Sequence, residues 1–523
     1  MSGSAGSYDA VVVGGGVTGT GLVRDLAMRG ARCLLIEEGD LASGTTGRFH
    51  GLLHSGARYA VRDPHSAVEC IAENHVLRRI AAHCVEDTGG VFCWRRGDPE
   101  DYPPRFLSGC AEAGIQVLEL GQAEARRREP LLADEVERVF LVPDATIQPF
   151  ELAAANARSA VEHGARLRLY ARLAGVELEA GRVVAVEVED LAGGGRERIE
   201  TGLLANAAGY RAGEVAALAG VEVALAPGWG TMVVMAERLV RGVVNRCRMP
   251  GDGDIIVPVG TVCIAGTTSR TMPPGTVYRI GRDEVQGILG EGAQMVPALA
   301  TQRALRAYAG ARPIYAPGQD ASASRGLSRE HQVLDHEPEG AAGFMSIVGG
   351  KLTTYRLMAE QGADLAGRKL GLTAPCRTHE EPLPGSRAAR HYRLGERYEA
   401  NEEERGGADA DLVCECELVT REAVERFVED FPGVPHLDDM LRGLRLGMGP
   451  CQGAFCSLRA AGLLQARHPR PGTGALAPLA GFLEERLKGV RPVLWEDQAR
   501  QFHLNEIVYR EVLDLDHAPG PGG

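Results

Sequence analysis

Asp9-Ala-Val-Val-Val13-Gly14-Gly15-Gly16-Val17-Thr18-Gly19 is the stretch that decides the fold. Its first five residues are short, apolar and β-branched, as a parallel strand buried on both faces must be. The glycines that follow fit G-x-G-x-x-G. Gly14 permits a tight turn, Gly16 lets backbone approach a pyrophosphate, and Gly19 lets a helix lie close against the strand. Leu22, Val23, Leu26 and Ala27 then fall on one side of a helix that Gly30 can close. Ala31-Arg-Cys-Leu-Leu-Ile36 reads as the next strand, and Glu37 ends it about 20 residues beyond the motif, where a carboxylate can accept ribose hydroxyls. The helix start adds free amides and a partial positive charge for phosphate. This is a βαβ dinucleotide site in an α/β chain.

NAD and FAD share that fingerprint, so other segments must discriminate. Leu204-Ala-Asn-Ala-Ala208-Gly209 is a small-residue strand end past which an adenosine can lie. Phe344-Met-Ser-Ile-Val348 is another apolar strand, followed by Gly349-Gly350-Lys351-Leu352-Thr353-Thr-Tyr355 and a helix through roughly Leu370. This second glycine turn comes about 330 residues after the first. Two such turns suit a long dinucleotide gripped at both ends, and the second helix start can meet the flavin edge where negative charge develops. FAD is the better reading.

The rest of the composition bounds the molecule. A chain of 523 residues has material for two to four domains, and 44% hydrophobic with 24% charged residues excludes general disorder. A net charge of −13 argues against broad nucleic-acid coating. No apolar run is long enough to span a membrane, and Met1–Tyr8 has no signal-peptide pattern, so a cytoplasmic location is expected. Of 57 basic residues only Lys351, Lys369 and Lys488 are lysines.

Leu167–Val176 and Arg182–Val188 read as a strand pair in an inserted, more antiparallel region. The expected organisation is an oxidoreductase domain over 1–376, with insertions near 75–200 and 220–335. A charged, solvated linker over 377–410, a cysteine-bearing domain over 411–465, and a helical extension with a tail over 466–523 complete it.

Of the twelve cysteines, Cys414-Glu-Cys416 and Cys451-Gln-Gly-Ala-Phe-Cys456 form C-x-C, 34 intervening residues, then C-x4-C. Four thiolates from two loops can enclose a [2Fe–2S] cluster, two sulfurs to each iron. Zinc is the alternative metal, although C-x-C is tighter than the usual zinc pair, and a disulfide pair is a third reading. The other eight, Cys33, Cys70, Cys84, Cys93, Cys110, Cys247, Cys263 and Cys376, lack ligand spacing and read as small core residues.

Ser43-Gly-Thr45-Thr46-Gly-Arg48-Phe-His-Gly-Leu-Leu-His54-Ser-Gly-Ala-Arg58-Tyr59, together with the two glycine turns, resembles the FAD-dependent glycerol-3-phosphate dehydrogenases. Asn74–Cys84, Val244–Arg248 and Leu487–Pro492 extend the likeness over nearly the whole chain. Cys414–Cys456 is similar to the iron–sulfur extension of the family's anaerobic branch, a domain of the bacterioferritin-associated-ferredoxin type.

The resemblance implies a doubly wound, D-amino-acid-oxidase-type domain with an inserted antiparallel substrate sheet and a small helical [2Fe–2S] domain. It implies flavin contacts from Gly14, Gly15, Gly16, Thr18, Gly19, Glu37, Ser43, Thr45, Thr46, Arg48, His54, Val176, Ala208, Gly209 and Gly349–Thr353. It also implies substrate contacts from Arg58, Tyr59, Arg312, Arg329 and Lys351, with Arg58 and Lys351 near the chemistry. Arg312 and Arg329 are the expected phosphate fork.

His54 is the candidate proton acceptor, against a histidine that only positions flavin or fills the core. The implied reaction is oxidation of sn-glycerol 3-phosphate. Electrons would pass through the [2Fe–2S] cluster to partner subunits, one a second flavin-bearing subunit and one an iron–sulfur membrane anchor, and eventually to the quinone pool. The chain itself would be peripheral on the inner membrane face. Flavin-dependent amine or 2-hydroxy-acid dehydrogenases and a non-catalytic electron carrier are the rival classes. The chain departs from the family pattern at Trp229, where lysine or arginine is usual, and at Gln148, where aspartate is common.

Overall fold

A computed structural model of the chain describes residues 6–272, 277–318, 330–388, 396, 398–399, 411–431, 433–495, 497–513 and 515. Ala10–Val13 and Cys33–Ile36 lie side by side in a six-stranded sheet with Arg166–Arg168 at one edge. On the other side follow Leu204–Asn206, Phe344–Gly349 and His331–Asp335. All pairs are parallel except the last. Alternation along the central strands explains why both faces are buried. Ala10, Val12 and Leu35 meet Leu22, Leu26 and Ala359 of the helices Val17–Met28 and Tyr355–Leu370. Val11, Val13, Leu34 and Ile36 meet Leu173, Val186 and Ile199 on the opposite side.

That opposite layer changes the expected picture. Its main cover is an antiparallel sheet of Ala171–Glu179, Arg182–Asp190 and Arg196–Thr201, with Ser7–Tyr8 parallel at its edge. One face of the parallel sheet therefore carries helices and the other carries mainly β-structure, so the domain is not helical on both sides. The segment read as one strand over 167–176 is broken at Tyr170, which adopts φ 52° and donates its amide to Gly39 O. Residues before the break extend the parallel sheet; those after it start the second layer.

A separate large sheet is assembled from two chain regions. Gly90–Arg95, Leu118–Leu120 and Val136–Val142 join Gly228–Met235, Val243–Arg246, Ile255–Val259, Val262–Gly266, Arg270–Thr271 and Ala304–Arg312. It is antiparallel but for the Val243–Arg246 and Gly90–Arg95 pair.

Residues 377–388 depart from the linker expected there. Arg24, itself fully buried, donates to Glu381 O at 2.7 Å, Leu383 N–H reaches Ile80 O, and Thr378, Leu383 and Ser386 are buried. The rest of the expected linker falls almost wholly outside the described residues.

Beyond it, a ribbon of Leu412–Cys414 and Val419–Thr420 packs with helices Arg421–Asp430, Leu437–Leu444, Cys456–Arg467 and Ala477–Val490. Leu479 and Phe482 share one core with Cys414 and Cys456, so the cysteine-bearing unit does not end at 465. Tyr170 to Asp439, Arg442 to Asp40 at 3.0 Å, and Gln498 to Ala304 O at 2.7 Å tie this unit to the rest.

Candidate active site

The first glycine turn is shaped by what its neighbours leave no room for. Gly14 has φ 112°, and a methyl there would lie 2.5 Å from Ala207 O. A methyl on Gly19 would overlap Gly14 O, so Gly19 serves the helix–strand contact. Glu37 accepts the Gly15 amide at 2.5 Å and the Gly39 amide at 2.9 Å, and burial raises its carboxyl pKa. Gly14, Gly16, Thr18 and Glu37 line a cavity of 1010 Å³, and Ser43, Thr45, Thr46, Arg48, Ala208 and Gly209 continue its wall.

The second turn bounds the same cavity. Gly349 and Gly350 have φ 79° and 82°, and side chains there would overlap Glu330 O and the Met358 sulfur. Lys351, Leu352 and Thr353 follow on the wall. Thr353 Oγ1 accepts the His54 amide at 3.1 Å. Lys351 Nζ donates to Ser66 Oγ at 2.8 Å and stands 4.9 Å from the centre of the Tyr59 ring. Tyr59 in turn lies 5.2 Å from the His54 ring.

Arg58 donates to Asp254 Oδ1 at 2.6 Å, and the fully buried Asp254 also accepts the Gly251 amide at 2.7 Å. Arg312 donates to Thr267 Oγ1 at 2.6 Å and Thr268 O at 3.2 Å. Buried Asp144 accepts the Ser55 amide at 2.7 Å, while Asn74 Nδ2 donates to His54 O at 3.1 Å. The 54–58 loop is thus fixed from below. A cationic, hydrogen-bonding end of the cavity, with His54, Arg58, Tyr59, Arg312 and Lys351 on its wall, faces the space between the two turns. It is suited to an anionic small molecule held against a dinucleotide.

Two expected flavin contacts are placed differently. Val176 packs into the layer beneath the parallel sheet, and Arg172 and Leu173 of the same strand reach the cavity instead. The Gly15 amide is already taken by Glu37. Arg329 lies outside the described residues.

Trp229 stacks on Tyr278 at 5.2 Å with 9° between the rings, while Gly230 and Met232 on its strand line the cavity. Gln148 Oε1 accepts from Arg445 Nη1 at 2.9 Å, joining the C-terminal unit. Neither departure from the family pattern is a cavity residue. Reading the sequence missed His50, whose Nδ1 accepts the Leu52 amide at 3.2 Å and whose ring lies 6.1 Å from His54. The spacing His-Gly-Leu-Leu-His was its only signal. Asp254 had none.

The four C-terminal cysteines come together through their sulfurs, Cys456 meeting Cys414 and Cys451, and Cys451 meeting Cys416. Amides of Glu417 and Gly447 donate to Cys414, and those of Gly453 and Phe455 to Cys451. The hydrogen bond with Cys456, aided by those amides, lowers Cys414 to about 7 and Cys451 to about 5. Burial pushes Cys416 up to about 11, and its bonds to Cys414 and Cys451 push Cys456 up. Of the other eight, seven are buried in the core; Cys376 is half-buried. Its sulfur lies with Glu360 and His379, ligand atoms all within 4.8 Å of one another.

The sequence model of the family described as FAD dependent oxidoreductase matches residues 9–356. A Haemophilus influenzae subunit of anaerobic glycerol-3-phosphate dehydrogenase is 41% identical over 98% of this chain and 94% of its own length. The protein of the same name from Escherichia coli K12 is also 41% identical, over 98% and 97%. The crystal structure of glycerol-3-phosphate dehydrogenase from Bacillus halodurans complexed with FAD superposes with a TM-score of 0.68 at 20% identity. That match covers 94% of this chain and 97% of that one, and at such identity it speaks for the fold.

Proposed function

The chain belongs to the FAD dependent oxidoreductase family and, within it, to the anaerobic glycerol-3-phosphate dehydrogenases, and from that premise we propose that it oxidises sn-glycerol 3-phosphate to dihydroxyacetone phosphate. FAD, when bound, supplies the two-electron acceptor for such an oxidation. The lining fits it, because one cavity runs past both glycine turns and a side chain at Gly14, Gly349 or Gly350 would collide with backbone or a neighbour. Gly14, Gly16 and Thr18 would hold the pyrophosphate, Glu37 the ribose, and Gly349–Thr353 the flavin edge, with Ser43, Thr45, Thr46 and Arg48 between.

The observation that carries the substrate is the cationic end of that cavity. Arg312, with Arg329, would fork the phosphate dianion. Arg58, Tyr59 and Lys351 would orient the carbinol, and His54 would take the proton of its C2 hydroxyl. The buried Asp254 holds Arg58 in place while Asp144 and Asn74 fix the loop, so the site is organised before substrate arrives.

Anaerobic addition of glycerol 3-phosphate to the holoenzyme should bleach the flavin band, and glycerol should not. Bleaching by an amine or a 2-hydroxy acid alone would favour the rival dehydrogenases. An unchanged band with every substrate would sink the reading.

We propose also that Cys414, Cys416, Cys451 and Cys456 hold a [2Fe–2S] cluster. A single zinc with bonds of about 2.3 Å would need all four sulfurs within roughly 4 Å of one another. The sulfurs here meet pairwise, and amides already aim at Cys414 and Cys451. Such a cluster supplies one-electron exchange with an external acceptor. The acceptors would be partner subunits, one flavin-bearing and one an iron–sulfur membrane anchor, leading to the quinone pool. No helix among the described residues is long and apolar enough to cross a membrane, so the association would be peripheral, on the inner face.

A further inference from the structure

Helix Ala477–Val490 carries a cation where a core helix has no ordinary use for one. Arg486 is 7% exposed and lies between the cysteine loops and the strand Ala304–Arg312. Its Nη1 donates to Gln452 Oε1 at 2.9 Å, and Gln452 follows Cys451 directly. Its Nη2 is buried with no hydrogen-bond partner. Its carbon lies 5.0 Å from the centre of the Phe482 ring. Among the described residues no carboxylate reaches it at salt-bridge distance. Asp438 attracts it only across space, and Arg306 repels it. Burial, with that second guanidinium, pushes its pKa down to about 9.

A buried charge in this situation is costly unless something nearby is negative. The geometry says what. A methyl on Gly447 would lie 3.3 Å from Arg486 Nη2 and 3.5 Å from the Gly453 Cα. The Gly447 amide donates to Cys414 and the Gly453 amide to Cys451. Gly447 and Gly453 take φ 80° and 91°, which lets the loop curl between the sulfurs and the guanidinium. Arg486 and Cys451 also border the same cavity of 300 Å³. The cation thus backs the two peptides whose other side faces the thiolates.

We propose that Arg486 is the counter-charge of the four-cysteine centre, setting its reduction potential and leaving the flavin site untouched. The inference rests on the cluster reading above. A [2Fe–2S] centre on four thiolates is anionic and gains a further negative charge on reduction. A guanidinium behind its second shell, in a poorly solvated core, stabilises the reduced form more than the oxidised one. Gln452 acts as the spacer: its oxygen holds Arg486 while its amide donates to Gly449 O at 2.9 Å, pinning the loop at a fixed distance from the charge.

The test is a redox titration of the holoenzyme with R486M, R486Q and R486K, following the reduced cluster by electron paramagnetic resonance and the flavin by absorbance. The neutral variants should shift the cluster's reduction equilibrium at least tenfold toward the oxidised form, about 59 mV downward for one electron. R486K should recover most of that shift, and the flavin midpoint should stay where it is in all three. Loss of iron in both neutral variants with retention in R486K supports the proposal equally, because lysine keeps the charge but not the fork. Loss of iron in all three, or an unshifted cluster midpoint in a neutral variant with full iron, overturns it. Absence of iron and labile sulfide from the wild-type protein is a different failure, since it removes the cluster reading itself.

Discussion

The glycine turn at 14–19 and the cysteine loop at 447–456 both depend on glycine, and for opposite purposes. At the first, glycines clear space: Gly14, Gly16 and the Val17–Met28 helix start leave backbone facing a large cavity, for a ligand the chain itself does not contain. At the second, the glycine amides are already committed. Gly447 and Gly453 donate to Cys414 and Cys451 and are backed by a buried cation. The first is a socket defined by exclusion; the second is a cage defined by charge. Sockets fail when filled, and cages fail when a ligand or a counter-charge is removed.

The sharpest way to break that contrast is to fill one and open the other. Gly14→Val sets a branched side chain at φ 112° against Ala207 O, which costs about 1–2 kcal/mol for the backbone and about 1–3 for overpacking. The purified variant should be colourless near 450 nm while keeping the iron content of the wild type. Cys414→Ser should do the reverse, losing iron while glycerol 3-phosphate still bleaches the flavin. If either change removes both cofactors from folded protein, the two sites are not independent.

The cationic end of the cavity contains both kinds of design, and two substitutions separate them. Arg58 neutralises the fully buried Asp254, so Arg58→Met should cost about 3–5 kcal/mol of stability as well as activity. Lys351→Met probes the other kind, since the lysine side chain donates to Ser66 Oγ and stands over the Tyr59 ring on the cavity wall. Its cost should fall on kcat/KM for glycerol 3-phosphate, roughly 10- to 100-fold from a lost charge-assisted bond of about 1.5–3 kcal/mol. A wild-type melting temperature for Arg58→Met would show that Asp254 finds another partner.

The same contrast explains what the sequence revealed. The strand Ala10–Val13, the turn after it and the second turn at Gly349-Gly350 were legible because their residues are dictated locally, by period and by positive φ. The C-x-C and C-x4-C pairs were legible because ligands must be adjacent. Asp254, Arg486 and Asp144 were not, since each acts on a partner brought near only by the fold: Arg58 is 196 residues from Asp254. The break at Tyr170 was hidden for a related reason. It answers to Gly39, far away in the chain, and the apolar alternation of Leu167, Leu169, Ala171 and Leu173 runs straight through it. The buried course of 377–388 followed from Arg24, a single arginine inside an apolar helix, whose side chain has to find carbonyls somewhere.

Trp229 supplies the smallest expected effect and the finest test. It occupies a strand position where lysine or arginine is usual in the glycerol-3-phosphate dehydrogenases, and a cation there would matter if that position faced the substrate. Strand alternation argues that it does not. Gly230 and Met232 line the cavity, and Gly230 abuts the Arg312 guanidinium, so Trp229 projects to the other face. There it stacks on Tyr278 and leans on Tyr210, 6.1 Å away. Trp229→Lys should therefore lose about 0.5–1.5 kcal/mol of ring stacking and lower the melting temperature by a few degrees at most. The kcat/KM for glycerol 3-phosphate should stay within about twofold of wild type, because strand alternation keeps position 229 on the face opposite the cavity-lining Gly230 and Met232. A rise or fall of tenfold would mean that the strand presents this position to the phosphate, and that the cationic end is wider than Arg58, Arg312 and Lys351 define it.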